Sequence, residues 1–546
     1  LAKIVTVEQM RTIEKAADAS GLPYTQMMEN AGRAVAEIIQ SRWPDISGKQ
    51  VAILVGSGNN GGDGLVVGHY LAKAGAEVSA YLTVDRSEDD QNLHRLRKQA
   101  KLIACAEKDQ RKVALRKMVL GADILIDALL GTGFQLPLKG VAKDVLSATK
   151  KVLAKRQPHL IIVAVDCPSG LDCDTGNLAE EALSCDLTVT LAAAKPGHLL
   201  FPGAEAVGDL IVADIGIPDT QKEISSVELE LATKQAVRAL LPARPKNAHK
   251  GTFGRALIVA GSVNFPGAVV LAGMGAYRVG AGLVTLAVPA PIQQMLVPLL
   301  PEATWVILPH EVGVIAENAA AVLEKEIDQS QAMLLGPGFG QDASTKAFLY
   351  KLVGGEGGRL RGQIGFIHSD DREKARSGSL PPCVVDADGL KLLKTISDWP
   401  SLLPKASVLT PHPGEMSILT DQPKDSIQAD RVTISKKWAE EWGHVVVLKG
   451  AFTVVAAPDG RTTVLPFATP ALAKAGTGDV LAGAIVGFLA QGVPSYESAV
   501  LGGYIHGRAG ELASGVVGSD ASVLASDVAD AMAEAIGEII TSDNEY

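Results

Sequence analysis

Val51-Ala52-Ile53-Leu54-Val55-Gly56-Ser57-Gly58-Asn59-Asn60-Gly61-Gly62-Asp63-Gly64 decides the fold class. Its aliphatic run, Val51–Val55, reads as a strand buried on both faces. The small residues that follow turn the chain, and Gly64–Ala74 reads as a helix laid back over that strand. Gly56, Gly58 and Gly61 satisfy GxGxxG, in which glycines let backbone approach a pyrophosphate and the helix start offers it unpaired N–H groups. Asp85 closes the next strand, Glu77–Val84, about twenty residues on, where a dinucleotide fold places an acid. A Gly-rich turn without a ligand has the same local pattern. The succession of strand, turn, helix and acid is what favours a nucleotide site. It is not a P-loop, because Gly62-Asp63 stands where Lys-Ser/Thr is required. Asn59-Asn60 is unusual for a plain redox loop and offers carbonyl oxygens to a ligand or a hard cation.

The alternation continues on both sides. Met27, Met28, Ala31, Ala34, Val35, Ile38 and Ile39 recur at helical spacing from Pro23 onward, and Ala122–Leu130 and His159–Val165 read as further strands. Strands alternating with helices predict an α/β fold with a mostly parallel sheet. Asp127 with Gly131-Thr132-Gly133, and Asp166-Cys167-Pro168-Ser169-Gly170, lie at two of the strand ends. Ligands of open α/β sheets bind beyond the carboxyl ends of strands, where these loops converge. A single Asp there is as readily a helix cap. Three oxygen-bearing loops together argue for a site.

A second α/β series follows a break. Ile215–Pro218 closes the first, and the basic, Pro-rich Leu241–Lys246 leads into the strand Ala256–Val259. A chain of 546 residues exceeds what one core organises, so two domains meeting near residue 220 are expected. Gly354–Ser379 reads as a long exposed loop. Ala475-Gly476-Thr477-Gly478-Asp479 opens an apolar helix, an arrangement that aims backbone N–H groups and a carboxylate at a transferring phosphoryl group. The alternative is that Asp479 is only a helix cap. Thr410–Glu415 follows the strand Ser407–Leu409, Val445–Leu448 runs into Lys449-Gly450 before a second strand at Phe452–Val455, and Leu335–Gly340 is another Gly-rich strand end.

Met27–Gly32, Gly58–Gly64, Asp127 with Gly131–Gly133, and Asp166–Gly170 together resemble the NAD(P)H-hydrate epimerase domain of the YjeF N-terminal type, over residues 1–218. The resemblance implies a Rossmann-like α/β/α sandwich spanning 1–220. It implies that Asn59, Asn60, Gly61, Gly62, Asp63, Gly131, Thr132, Gly133, Phe134, Gln135, Leu136, Pro137 and Asp166 contact a hydrated dinucleotide, and that Asn60, Asp127 and Ser169 bind K+. Asp166 is the acid/base candidate, with a ribose- or nicotinamide-binding role equally compatible. The second series resembles the ribokinase-like superfamily, in which GxGD marks the anion hole and the base. His412-Pro413-Gly414-Glu415 replaces that superfamily's Asn-x-x-Glu and matches its NAD(P)H-hydrate dehydratase branch. This resemblance covers 225–535 and implies a ribokinase-like α/β/α domain over 225–540. Lys449, Gly450, Ala451, Phe452, Thr453 and Gly478 would hold an adenine nucleotide. Ala268, Gly338, His412 and Asp479 would meet the hydrated dinucleotide, and Glu415 would orient Mg2+ or its water. The two-domain fusion looks bacterial, which implies ADP as co-substrate, with ATP the other choice.

Composition sets the limits. The formal charge is −10 without a block of Lys/Arg, so no nucleic-acid partner is expected. No apolar run approaches the roughly 18 residues of a membrane span. Cys105, Cys167, Cys173, Cys185 and Cys383 are scattered without a CxxC pair and read as reduced intracellular thiols. The opening Leu1-Ala2-Lys3-Ile4 lacks the layout of a secretion signal, and the expectation is a cytoplasmic homo-oligomer. Three readings compete with nucleotide repair: a hydroxymethylpyrimidine- or sugar-type kinase with a regulatory first domain, an RNA-binding scaffold role for that domain, and a redox dehydrogenase.

Overall fold

A computed structural model of the chain describes residues 2–87, 89–157, 159–354 and 380–541. The loop expected over 354–379 lies, apart from Gly354, outside them. The chain divides into two compact units, 2–230 and 231–541.

The first unit opens with helices α1 (Val7–Ala19) and α2 (Tyr24–Arg42). Its strands are β1 (Gln50–Val55), β2 (Glu77–Leu82), β3 (Leu102–Cys105), β4 (Ile124–Ala128), β5 (Ile161–Val165), β6 (Leu187–Leu191) and β7 (Asp209–Ala213). They form a seven-stranded parallel sheet in the order β3-β2-β1-β4-β5-β6-β7. Apolar clusters cover both faces, which is why β1 and β4 read as unbroken aliphatic runs. Strand order reverses between β1 and β4, so a crevice opens beyond their carboxyl ends. Helix α3 (Asn59–Lys73) rises from the end of β1. It begins at Asn59, not at Gly64 as the apolar pattern suggested, because its first turn is built from small and polar residues that carry no hydrophobic periodicity. A Cβ on Gly61 would lie 2.1 Å from the Gly56 carbonyl oxygen, so only glycine lets the helix start press onto the strand end.

In the second unit the strands are β8 (Arg255–Val259), β9 (Leu283–Pro289), β10 (Thr304–Leu308), β11 (Ala332–Leu335), β12 (Cys383–Val385), β13 (Val408–Leu409), β14 (Val445–Leu448), β15 (Val454–Ala456) and β16 (Thr462–Val464). They run in the order β16-β15-β14-β13-β12-β11-β8-β9-β10, all in one direction except β15, which is antiparallel to both its neighbours. The strand expected over 452–455 begins at Val454, because Phe452 sits at φ +52° in the turn. Helix α4 (Gly267–Arg278) packs against α6 (Thr477–Ala490), while α5 (Pro413–Thr420) and α7 (Ser495–Val517) flank the same sheet. The α4–α6 crossing is close: a Cβ on Gly483 would meet the Ala272 carbonyl oxygen at 2.0 Å. Among the described residues no helix is long and apolar enough to cross a membrane, and all five cysteines are free and buried.

Candidate active sites

The crevice of the first unit collects the expected residues. Asp127, at the end of β4, is fully buried. The Ser169 amide donates to its Oδ2 at 2.8 Å and the Ser169 hydroxyl to its Oδ1 at 2.5 Å, tying the β4 and β5 loops together. The Leu130 amide donates in turn to Ser169 Oγ, and Asn60 Nδ2 donates to the Leu130 carbonyl at 3.0 Å. Asn60 Oδ1 is buried and finds no partner. One chain of hydrogen bonds thus links Asn60, Leu130, Ser169 and Asp127 and leaves one buried oxygen orphaned, and burial raises the proton affinity of Asp127. A monovalent cation there would supply the missing countercharge and occupy the orphaned lone pair. Gly131 lies directly against Asn60, with its added Cβ only 3.2 Å from the Asn60 Cβ. Beyond it, Phe134, Gln135, Leu136 and Pro137 line a cavity of about 300 Å³.

Asp166 follows β5 with φ +66°, and Lys195, which sequence reasoning missed, meets it. The Lys195 ammonium donates to Asp166 Oδ1 and to the Thr190 hydroxyl. The Leu191 amide donates to the same Asp166 oxygen at 3.2 Å. Burial alone would raise the Asp166 pKa, but the ammonium and these bonds prevail and hold it below the usual carboxylate range. Asp63 is shifted the other way. Buried in the first turns of α3, it is pushed well above that range by burial and then by the charges of Asp166 and Glu14. Glu14 of α1, also unforeseen, is raised by burial and by Asp166. The site therefore holds one carboxyl whose proton affinity a lysine lowers and two whose proton affinity burial raises. Asp85 is not part of it: its carboxylate pairs with Lys108 at the surface. Arg86 instead reaches the strand end, donating to the Gly56 carbonyl at 2.7 Å.

In the second unit Gly476, at φ +93°, turns the chain into α6 and sets Asp479 in its first turn. Burial, then Asp386, push the Asp479 carboxyl up to about 7, against the opposing charge of Lys449. The Lys449 ammonium would touch any side chain at Gly478, at 3.4 Å from its Cβ position, so Lys449, Gly478 and Asp479 share one pocket. Lys449 also donates to Asp386 Oδ1 at 2.6 Å and lies 3.8 Å from Glu415. Gly450–Thr453 form one turn, closed by the Thr453 hydroxyl donating to the Gly450 carbonyl. Ala268 and Gly338 come together, with the Ala268 Cβ 3.2 Å from the Cβ position of Gly338.

His412 caps α5. Its Nδ1 accepts from the Gly414 and Glu415 amides, and Glu415 Oε2 accepts from the His412 amide. The ring proton therefore sits on Nε2, and half of the side chain stays exposed. Glu415 is engaged by this cap and by Lys449, and no group of three or more His, Cys, Asp or Glu among the described residues could hold a metal ion. Asp386 and Asp388 were also missed; Val384-Val385-Asp386-Ala387-Asp388, acids at the end of a buried strand, was the available signal.

A family model described as NAD(P)H-hydrate dehydratase matches residues 256–533, and one described as YjeF-related protein N-terminus matches 24–197. The chain is 36% identical over 537 residues to the bifunctional NAD(P)H-hydrate repair enzyme Nnr of Moorella thermoacetica, covering 96% of this chain and 95% of that one. It is 30% identical to the enzyme of the same name from Escherichia coli K12, over 97% and 93% of the two chains. Among solved structures, the ADP/ATP-dependent NAD(P)H-hydrate dehydratase of Bacillus subtilis, co-crystallised with ATP/Mg2+, is 30% identical and covers 57% of this chain and all of its own, at a TM-score of 0.46.

Proposed function

The chain belongs to the bifunctional NAD(P)H-hydrate repair enzymes, an epimerase joined to a dehydratase, and from that premise we propose how its residues divide the work. The small-molecule kinase and redox dehydrogenase readings give way to it.

In the second unit Asp479 takes the proton of the C6 hydroxyl of the hydrate as that oxygen attacks the terminal phosphorus of an adenine nucleotide. The Gly478 amide and the Lys449 ammonium face the phosphoryl oxygens, where charge builds up. The nucleotide's P–O bond breaks, giving AMP from ADP. The C6–O bond then breaks with its electron pair leaving on phosphate, the adjacent ring carbon loses a proton to water, and the double bond returns. Phosphorylation turns a poor leaving group into a good one. Lys449–Thr453 hold the nucleotide, while Ala268, Gly338 and His412 hold the hydrate. Mg2+ would be carried by the nucleotide's phosphates and water, with Glu415 orienting it or its water. The observation that carries this reading is the Asp479 carboxyl, buried at a helix start and tuned to about 7, beside a lysine.

In the first unit Asn59–Asp63, Gly131–Pro137 and Asp166 hold the hydrate. Burial and the neighbouring carboxyls raise the proton affinity of Asp63 while the Lys195 ammonium lowers that of Asp166, which sets the two carboxyls apart as donor and acceptor. K+ would be held by Asn60, Asp127 and Ser169 and would anchor the three loops. Exposed Ile307 on the edge strand β10, with exposed Met295 and Leu299 in the segment before it, favours self-association, which sedimentation tests.

The test mixes the protein with both epimers of hydrated NADH, Mg2+, K+ and ADP or ATP, and follows NADH absorbance. Full recovery with the wild type and none with Asp479→Asn is expected, against a control for spontaneous epimerisation. No nucleotide-dependent recovery under any condition would overturn the reading.

A further inference from the structure

Asp386 belongs to neither sequence motif of the dehydratase, yet it lies at the centre of that site. It follows β12 directly, as Thr410 follows β13 and Lys449 follows β14, and these three strands are adjacent and parallel. Their ends bring a carboxylate, a hydroxyl and an ammonium to one point. Thr410 Oγ1 donates to Asp386 Oδ1 at 2.7 Å and Lys449 Nζ donates to the same oxygen at 2.6 Å. Asp386 is 1% exposed and its backbone is pinned on both sides, with its amide donating to the Leu335 carbonyl and its carbonyl accepting from the Gly389 amide. The ammonium it holds lies 3.4 Å from the Cβ position of Gly478, in the anion pocket and one residue from the base. A free lysine there would swing onto the Asp479 carboxylate and neutralise the base.

We propose that Asp386 is a positioning residue for phosphoryl transfer: anchored by Thr410, it keeps the Lys449 ammonium beside the Gly478 amide, aimed at the transferred phosphoryl group and away from Asp479. The proposal rests on the dehydratase reading above. It adds to that reading what holds Lys449 at the phosphoryl oxygens, where the charge of the reaction develops.

The charges around Asp479 set the direction of the test. Asp386 and Asp388 face it from the end of β12, Lys449 from the end of β14, and Glu415 from α5. His506 of α7 packs behind with its Nε2 on the Thr477 carbonyl, and burial keeps it neutral, with a pKa of about 4. Removing the Asp386 charge lowers the proton affinity of Asp479 directly, and the released ammonium lowers it further.

The experiment measures the nucleotide-dependent recovery of NADH by the full chain and its Asp386→Asn variant across pH 5–9. The expected result is a fall in kcat on the order of 10- to 100-fold, the scale of a misplaced catalytic group. The nucleotide KM should change little, and the acid limb of kcat/KM should shift to lower pH. Thr410→Val, which keeps the shape and removes the anchoring hydroxyl, should move the same limb less far, and it decides the matter if Asp386→Asn does not fold. An unchanged kcat, a loss confined to nucleotide KM, or a fixed acid limb overturns the positioning role while leaving the dehydratase reading intact. A wild-type chain without nucleotide-dependent recovery overturns both.

Discussion

The Lys195 ammonium lies 2.5 Å from Asp166 Oδ1, with the lysine side chain 1% exposed and the carboxylate 15% exposed. The pair forms because β5 and β6 are neighbours, so residues 29 positions apart meet beyond the carboxyl ends of these strands. Deleting one partner of a buried pair strands the other, at a cost of about 3–5 kcal/mol. Lys195→Met is expected to lower the melting temperature of the first unit and to abolish epimerisation, while the dehydratase of the same chain persists. The sign of the pH dependence follows from Asp166. In the wild type its pKa is depressed, so its stabilisation is present above the unfolded value and lost as pH falls through the folded one. In the variant only the Leu191 amide and the Thr190 hydroxyl oppose burial, so the stability gained as pH rises past the unfolded carboxyl value should shrink. Calorimetry at pH 4, 6 and 8 reads both trends, and parallel wild-type and variant curves would count against the pair.

Asp479 gives the opposite sign. Burial raises its folded pKa to about 7, so the cost of ionising it is absent below the unfolded value and complete above about 7. Asp479→Asn removes that cost. The variant should be dead as a dehydratase yet melt higher than the wild type at pH 8 and close to it at pH 4. In the wild type, kcat/KM should fall tenfold per pH unit below an apparent pKa of about 7. A flat profile from pH 5 to 8 would remove Asp479 from the role of base.

A cation between Asn60, Asp127 and Ser169 would satisfy the orphaned Asn60 Oδ1, whose burial without a partner costs about 1–3 kcal/mol. Raising K+ at constant ionic strength is expected to raise both the epimerase rate and the melting temperature of the first unit. Asp127→Asn should erase both responses and leave NADH recovery from the dehydratase-ready epimer untouched. Equal responses to K+ and to a bulky organic cation would argue for simple screening.

What was legible in the sequence and what was not separate along a physical line. Local patterns carried far: the aliphatic runs of β1 and β4, the Gly-rich turn before α3, and the Gly476–Asp479 helix start are short-range features, readable where they stand. So the α/β class and most loops around the sites were recovered. Lys195, Glu14 and Asp386 were not, because each acquires its partner through strand order or helix packing, which spacing does not encode. Asp85 was misplaced for the same reason. Its position in the chain suited a ribose ligand, yet its carboxylate turns to Lys108 and the neighbouring Arg86 takes the strand-end carbonyl. The start of α3 was read late because Asn59–Asp63 are chosen for the crevice and carry no apolar stripe.

Gly61 offers a substitution that separates the two activities. A methyl group there would fall 2.1 Å from the Gly56 carbonyl oxygen, a backbone atom that cannot swing aside. Gly61→Ala must therefore push α3 off the end of β1 and shift Asn60 and Asp63 with it. Epimerisation should fall by about 10²-fold or more, the scale expected when reacting groups move by an ångström. The dehydratase rate, set by the second unit, should hold. Loss of both activities together would mean that the substitution acts by unfolding the chain.

His412 is asked to do two things at once, and two variants divide them. Its Nδ1 caps α5, while its Nε2, on a half-exposed ring and 3.4 Å from Glu415 Oε1, is the atom offered to the hydrate. His412→Ala removes both functions and should cost about 1 kcal/mol of stability, the usual worth of an N-cap. His412→Asn keeps a cap, since an Asn side-chain oxygen accepts from the same amides, but withdraws the ring donor. If Nε2 binds the hydrate, both variants should raise its KM several-fold while only the alanine lowers the melting temperature. An asparagine variant with unchanged KM would leave His412 a cap and nothing more, and the hydrate would then have to be oriented by Ala268, Gly338 and Asp479 alone.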